Sequence, residues 1–205
     1  ISMLLAGCNR QKDDISAIAS DIAAIDAQVG AITRIDCPLP LAGEKEGETY
    51  TCGVYTVPQD YANPEGATLN LAFQVLKATN ANPLPDPIVF LAGGPGQSGI
   101  VSAAGQLYGD LRQERDLVFP AQRGTLFSHR LALEECVALL GEQMGRSELN
   151  AFAESFAGLD AVDRSLPYAE YLAQYTQRSG AINQRCHGAF RAAGLDPAQF
   201  TTANS

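Results

Sequence analysis

No stretch of this sequence approaches the roughly 20 consecutive apolar residues of a membrane-spanning helix, so none of it reads as a transmembrane segment. Basic residues are few: Lys and Arg number 14 against 23 Asp and Glu, they are scattered without runs, and the formal charge is −9. Nucleic acids and anionic lipid surfaces are bound through basic patches that replace counterions, so neither is an expected electrostatic partner. There is no Cys-x-x-Cys pair, and His129 and His187 are the only histidines. A zinc site built from closely spaced Cys and His ligands is therefore not expected, and no other metal or cofactor is implied. Internal repeats and low-complexity tracts are missing too. What remains is the composition of an ordinary globular chain, 46% hydrophobic and 18% charged over 205 residues, long enough to bury one sizeable core.

The opening residues, Ile1-Ser2-Met3-Leu4-Leu5-Ala6-Gly7-Cys8, form a short apolar stretch ending in small residues and a cysteine, which reads as the tail of a signal peptide. Leu5-Ala6-Gly7-Cys8 resembles the bacterial lipobox, in which cleavage leaves the cysteine at the new terminus carrying a diacylglyceryl group. Cys8 is accordingly expected to be lipidated. Two or more acyl chains hold a soluble domain stably at a membrane, where one does not. The expected location is the bacterial cell envelope, exported and lipid-anchored on a periplasmic or cell-surface face. Setting Cys8 aside leaves Cys37, Cys52, Cys136 and Cys186, an even number in a chain of exported character. Four cysteines allow three connectivities. The sequence-local one is favoured, Cys37 with Cys52 and Cys136 with Cys186, because each pair brackets a loop or a helical hairpin.

Ile15, Ile18, Ile22, Ile25, Val29 and Ile32 recur at spacings of three and four, which is a heptad seam. It places an amphipathic helix over 15–32, within a spacer spanning 9–36. Such a helix packs on its own domain, spaces that domain from the membrane, or serves oligomerisation. From residue 37 to 205 the pattern is α/β. Tyr50–Val57 and Thr68–Lys77 are β-rich runs separated by Asn-Pro and Glu-Gly turn chemistry, as in an antiparallel pair. Pro87–Leu91 and Asp116–Phe119 are short continuous apolar runs, as in strands buried on both faces. The helix-compatible segment Ile100–Arg112 between them makes a βαβ crossover, so the expected sheet is mixed, with antiparallel first strands and a parallel centre. Leu131–Gly194 is helical in pattern, with breaks at Gly141, at 158–167 and at Gly180.

The strongest chemical signal is Phe90-Leu91-Ala92-Gly93-Gly94-Pro95-Gly96-Gln97-Ser98-Gly99, a strand running straight into a turn rich in glycine. Glycine lets backbone amides approach a ligand and adopt positive φ. Amides aimed into a pocket stabilise an oxyanion, and the loop after the third strand of an α/β-hydrolase supplies one of its two donors. The other reading is a tight turn into a helix capped by Ser98. Gly96-Gln97-Ser98-Gly99 is not a nucleophile elbow, because that motif needs Gly-x-Ser-x-Gly and position 100 is Ile100.

Cys52-Gly53-Val54-Tyr55-Thr56-Val57-Pro58-Gln59-Asp60-Tyr61, the Gly-Gly-Pro-Gly loop, and Asp116-Leu117-Val118-Phe119 followed by Gln122-Arg123-Gly124-Thr125 stand in one order and spacing. In this the chain resembles the prolyl and tripeptidyl aminopeptidase group of α/β-hydrolases, over roughly Cys37 to Ser205. The resemblance implies the N-terminal half of an α/β-hydrolase fold. It also implies a Ser-Asp-His triad acting through an acyl-enzyme on short peptides, aminoacyl amides or esters with a free amino terminus. Gly93, Gly94, Pro95 and Gly96 map to part of the oxyanion hole, and Gln122, Arg123 and Gly124 to the loop that supports it.

Departures from the family pattern are Ala92 in place of a histidine, Ala121 in place of an acid and Leu126 in place of a glycine. His129 sits beside Ser128 in a loop and His187 beside Cys186 on a helical stretch, so neither is a convincing general base. The triad is therefore expected after Ser205, with no catalytic residue in this chain. A non-catalytic lipoprotein, either a degenerate hydrolase or a binding and assembly module, is the rival reading, and a lipid-anchored esterase is another.

Overall fold

The computed structural model describes residues 14–94, 96–103 and 109–200. The chain divides into two compact units, one of residues 1–130 with 200–205, the other Leu131–Gln199.

The first unit is built on a five-stranded sheet: β1 (Ile32–Ile35), β2 (Tyr50–Pro58), β3 (Thr68–Leu76), β4 (Ile88–Val89) and β5 (Leu117–Pro120), in the spatial order β1-β2-β3-β5-β4. β1, β2, β3 and β5 are joined by antiparallel pairings, whereas β4 and β5 run parallel. The sheet is mixed, as the turn and crossover signals predict, but its parallel pair stands at one edge of the described strands and not at the centre.

Period-two alternation decides which side chains meet. Tyr50, Cys52, Val54 and Thr56 lie opposite Leu76, Gln74, Ala72 and Asn70, and Leu76 and Gln74 in turn lie opposite Leu117 and Phe119. This face is the buried one. Val54 and Ala72 pack with Ile22, Ile100, Ala121 and Phe127, while Tyr50, Leu76, Leu117 and Phe119 pack with Leu41 and Ala103. The Cys37–Cys52 disulfide ties the 37–49 segment to β2. Across the same segment Arg112 makes a bidentate ion pair with Glu44 and donates from Nε to the Lys77 carbonyl at 2.8 Å. The guanidinium holds the Glu44 carboxyl below its ordinary pKa.

The helix expected over 15–32 is corrected. Helix α1 covers 14–23 of the described residues, and the chain then turns and enters β1, which pairs with β2 from Ile32↔Tyr55 to Ile35↔Cys52. Of the expected 9–36 spacer, residues 9–13 lie outside the described residues, 14–23 are helical, and Ile32–Ile35 belong to the sheet. The seam continues past the helix by coincidence of spacing: Ile15, Ile18 and Ile22 face the core, but Val29 and Ile32 are exposed. The seam of α1 thus packs on its own sheet through Ile15, Ile18 and Ile22.

The crossover expected as one helix over Ile100–Arg112 is likewise interrupted. It contains α2 (Gly99–Ala103), a turn at Gly109–Asp110 and α3 (Leu111–Glu114). α2 starts close against the end of β5, where a Cβ at Gly99 would stand 2.3 Å from the Pro120 carbonyl oxygen. That partner is backbone and cannot swing away. Gly99→Ala is expected to cost about 1–3 kcal/mol through forced separation of α2 from the sheet, measured as a shift in the urea midpoint with unchanged slope.

The second unit is helical: α4 (Leu133–Gln143), α5 (Arg146–Asp160) and α6 (Tyr168–Ala192), then a 3₁₀ turn at Pro197–Gln199. Gly141 and Gly180 do not break their helices, contrary to expectation. One interior glycine costs about 1 kcal/mol, which the packing of the surrounding turns outweighs. The core is Cys136, Leu140, Phe152, Ile182, Ala189 and Phe190, stapled by the Cys136–Cys186 disulfide. No helix of the described residues is long and apolar enough to cross a membrane.

Candidate functional site

β4 delivers the chain into the glycine loop. Ile88 and Phe90 donate their N–H groups to the Asp116 and Val118 carbonyls at 2.9 and 2.8 Å, so the strand is held to β5 up to the point where the loop begins. Gly93, Gly94 and Gly96 are exposed, with Pro95 between them outside the described residues. Gly94 and Gly96 take φ of 132° and 88°, conformations that a side chain resists. The Gln97 N–H closes the turn on the Gly93 carbonyl at 3.3 Å. Among the described residues none accepts a hydrogen bond from the N–H of Gly93, Gly94 or Gly96. The loop is exposed at all three glycines, and an oxyanion site requires amides free to face a ligand.

Ser98 is turned the other way. It is 2% exposed, its carbonyl accepts from Ser102 N–H and Oγ, and its hydroxyl has no partner among the described residues. A buried hydroxyl with no base beside it is not a nucleophile.

The loop that follows β5 is knotted onto the sheet. Ala72 donates its N–H to the Phe127 carbonyl and accepts from the Ala121 N–H, so residues 122–126 bulge out between two bonds to one residue of β3. Inside the bulge the Gln122 carbonyl accepts from Thr125 N–H and Oγ1, and Gly124, at φ 80°, donates to the Ser128 carbonyl at 3.0 Å. The Arg123 guanidinium is buried. It donates to the Gln59 and Pro58 carbonyls at 2.9 and 3.2 Å and lies over the Tyr61 ring at 5.0 Å, bracing the end of β2. Leu126 does not take a positive φ. Phe127 and His129 take it instead, at 69° and 43°. Ala121 is wholly buried in the apolar cluster with Ile22 and Phe127.

A polar cluster that the sequence reading missed joins these parts. Asn70 Nδ2 donates to the carbonyls of Ile22, Ala23 and Ile25, capping the C-terminal end of α1, while its Oδ1 accepts from Thr56 Oγ1 at 2.8 Å. The Asn70 N–H reaches Nδ1 of His129 at 3.4 Å. The available signal was Asn70 and Gln74 standing at inward positions of an otherwise apolar strand face.

The chain matches no family model, and no curated protein sequence matches it.

His129 is not placed to serve as a base, because its Nδ1 is engaged with Asn70 and no bond joins it to the Ser128 hydroxyl among the described residues. Burial pushes its imidazole below the ordinary pKa. The folded state therefore resists protonation, and stability is lost as pH falls through the usual histidine value of about 6.5 toward the lower folded value. His129→Asn keeps an acceptor and tolerates positive φ. Denaturant titrations at pH 7 and pH 5 should show a smaller acid loss in this variant than in the parent. His187 is exposed on α6, and its neighbour Cys186 is in the disulfide. Cys8 lies outside the described residues, and among those described no three His, Cys, Asp or Glu side chains gather as metal ligands.

Proposed function

We propose that this chain supplies the oxyanion loop of a serine hydrolase of the α/β-hydrolase type, an aminopeptidase acting on short peptides or aminoacyl amides. The observation that carries the reading is the Gly93–Gly96 turn. It leaves a strand of a parallel pair, enters a helix, and offers amide N–H groups without acceptors among the described residues. The braced bulge at Gln122, Arg123 and Gly124, beginning just after the strand end on which Gly99 rests, is the support such a loop needs. In this reading the nucleophile, acid and base lie outside these 205 residues, and the lipobox at Cys8 anchors the enzyme in the cell envelope. The two disulfides suit an oxidising compartment.

A second reading, a hydrolase-like lipoprotein without catalysis, is favoured by Ala121. A methyl group fills the position of the family's acid, and it is buried among Ile22, Ile100 and Phe127, where a carboxylate would be desolvated.

An oxyanion loop polarises a carbonyl but does not attack it. The 205-residue chain is expected to show no turnover on aminoacyl-naphthylamides or short-chain nitrophenyl esters. Turnover that disappears in Ser98→Ala would overturn the assignment of the loop. The protein purified from its native envelope should cleave free-amine substrates and reject their N-acetylated twins, since a carboxylate awaiting an ammonium would be left unpaired. Equal rates on both replace the aminopeptidase with an esterase or endopeptidase, and no turnover on either favours the non-catalytic reading.

A further inference from the structure

Positive charge collects in the groove between α5 and α6. Arg178 and Arg185 line it from α6, two helical turns and so about 10 Å apart along one face. Phe152 and Ile182, both buried, form its floor, and Ser155 and Gly158 on α5 are small enough to leave it open. Each guanidinium is held by an uncharged contact: Arg178 donates to the Gly158 carbonyl, and Arg185 lies 5.8 Å from the centre of the Phe152 ring. Among the described residues neither forms an ion pair, and no residue lining the groove is acidic. This occurs in a chain with 23 Asp and Glu against 14 Lys and Arg. Guanidinium is the cation best matched to carboxylate, through two parallel hydrogen bonds. Two such forks, positioned and without carboxylate partners among the described residues above an apolar floor, are complementary to an anion with an apolar centre.

We propose that this groove binds a short acidic peptide whose two carboxylates stand about 10 Å apart with an apolar side chain between them. Its volume of about 390 Å³ falls in the range of small-ligand sites. An extended chain advances about 3.4 Å per residue, so an acidic side chain and a C-terminal carboxylate two residues later span the two arginines. The intervening side chain then rests on Phe152 and Ile182. Single exposed ion pairs contribute little, and the groove acts by engaging both ends of one ligand while burying its middle. The site lies wholly within the helical unit and does not depend on the hydrolase reading.

The test is isothermal titration of the 205-residue chain with N-acetyl-Glu-Leu-Ala bearing a free C-terminus, and with its neutral twin N-acetyl-Gln-Leu-Ala-amide. The acidic peptide should bind at least about tenfold more tightly than the twin, and Arg178→Gln with Arg185→Gln should remove that preference. Raising NaCl from about 50 to 500 mM should weaken the acidic peptide and leave the twin unchanged. The Arg178→Lys, Arg185→Lys protein keeps charge and packing stems, so it guards against a glutamine variant that fails to fold. It should retain the salt dependence with reduced affinity. Equal affinity for the two peptides, salt-independent binding, or no heat from the acidic peptide at millimolar concentration would each overturn the proposal.

Discussion

Replacing Cys136 and Cys186 together by alanine is expected to remove about 4 kcal/mol from the helical unit, because the bridge closes a sequence separation of 50. The magnitude matters because of the unit's size. It runs only from Leu131 to Gln199, below the roughly 70 residues at which one core rarely supplies more than about 3–5 kcal/mol. The bridge therefore contributes as much as the rest of the core. It joins α4 to α6, the first and last long helices of the unit, and fixes the ends between which α5 must pack. Alanine avoids burying a new hydroxyl at position 136, which is wholly inaccessible. Hydrogen exchange should show amides of 133–192 losing protection while those of β2 and β3, stapled separately through Cys37–Cys52, keep theirs. A loss below about 1 kcal/mol would mean that the apolar cluster holds the three helices unaided.

Local chemistry made much of this architecture legible. Alternation and turn residues gave β2 and β3, the continuous apolar runs gave the parallel pair, and loop-bracketing cysteines gave both bridges. The expectation that Pro87–Leu91 is buried on both faces is corrected, because β4 is an edge strand of the described sheet and Val89 and Leu91 stand exposed. Periodicity also failed where two elements share one spacing. Ile25, Val29 and Ile32 continue the seam of α1 in sequence, yet the helix stops because Asn70, 45 to 48 positions away, takes its terminal carbonyls. No window along the chain contains that contact. Gly141 and Gly180 stay inside their helices for the related reason that a glycine's cost is local and small, whereas helix packing is summed over many residues. At the candidate site the glycine loop and Arg123 stood out because their chemistry is carried by residue type. Phe127 and Asn70 did not, nor did the buried setting of His129, because backbone conformation and long-range hydrogen bonding define them.

Asn70→Asp is expected to cost about 3–5 kcal/mol, although the two side chains have the same shape. Asn70 is 2% exposed, and its amide nitrogen is the donor to the carbonyls of Ile22, Ala23 and Ile25. Aspartate replaces that donor with an oxygen, so three acceptors lose it, and among the described residues only the Ile22 carbonyl keeps another, the Ile25 N–H at 3.3 Å. An ionised carboxylate would also face the negative end of the α1 dipole in a buried place. Thr56 Oγ1, which donates to Asn70 Oδ1 at 2.8 Å, compensates only one of the two oxygens. The introduced carboxyl should meet this by holding its proton, with its pKa raised by burial and by the facing carbonyls. Its folded value then exceeds the unfolded one, so the variant recovers stability as pH falls through that raised value, opposite in sign to the His129 effect. Asn70→Ala separates cap from charge: it removes the donor without adding an anion and should lose about 1–3 kcal/mol with no new acid dependence. If aspartate and alanine prove equally destabilising at pH 7 and pH 5, the charge is not felt at the helix end. A loss below about 0.5 kcal/mol in Asn70→Ala would show that the cap is not what holds α1 to the sheet.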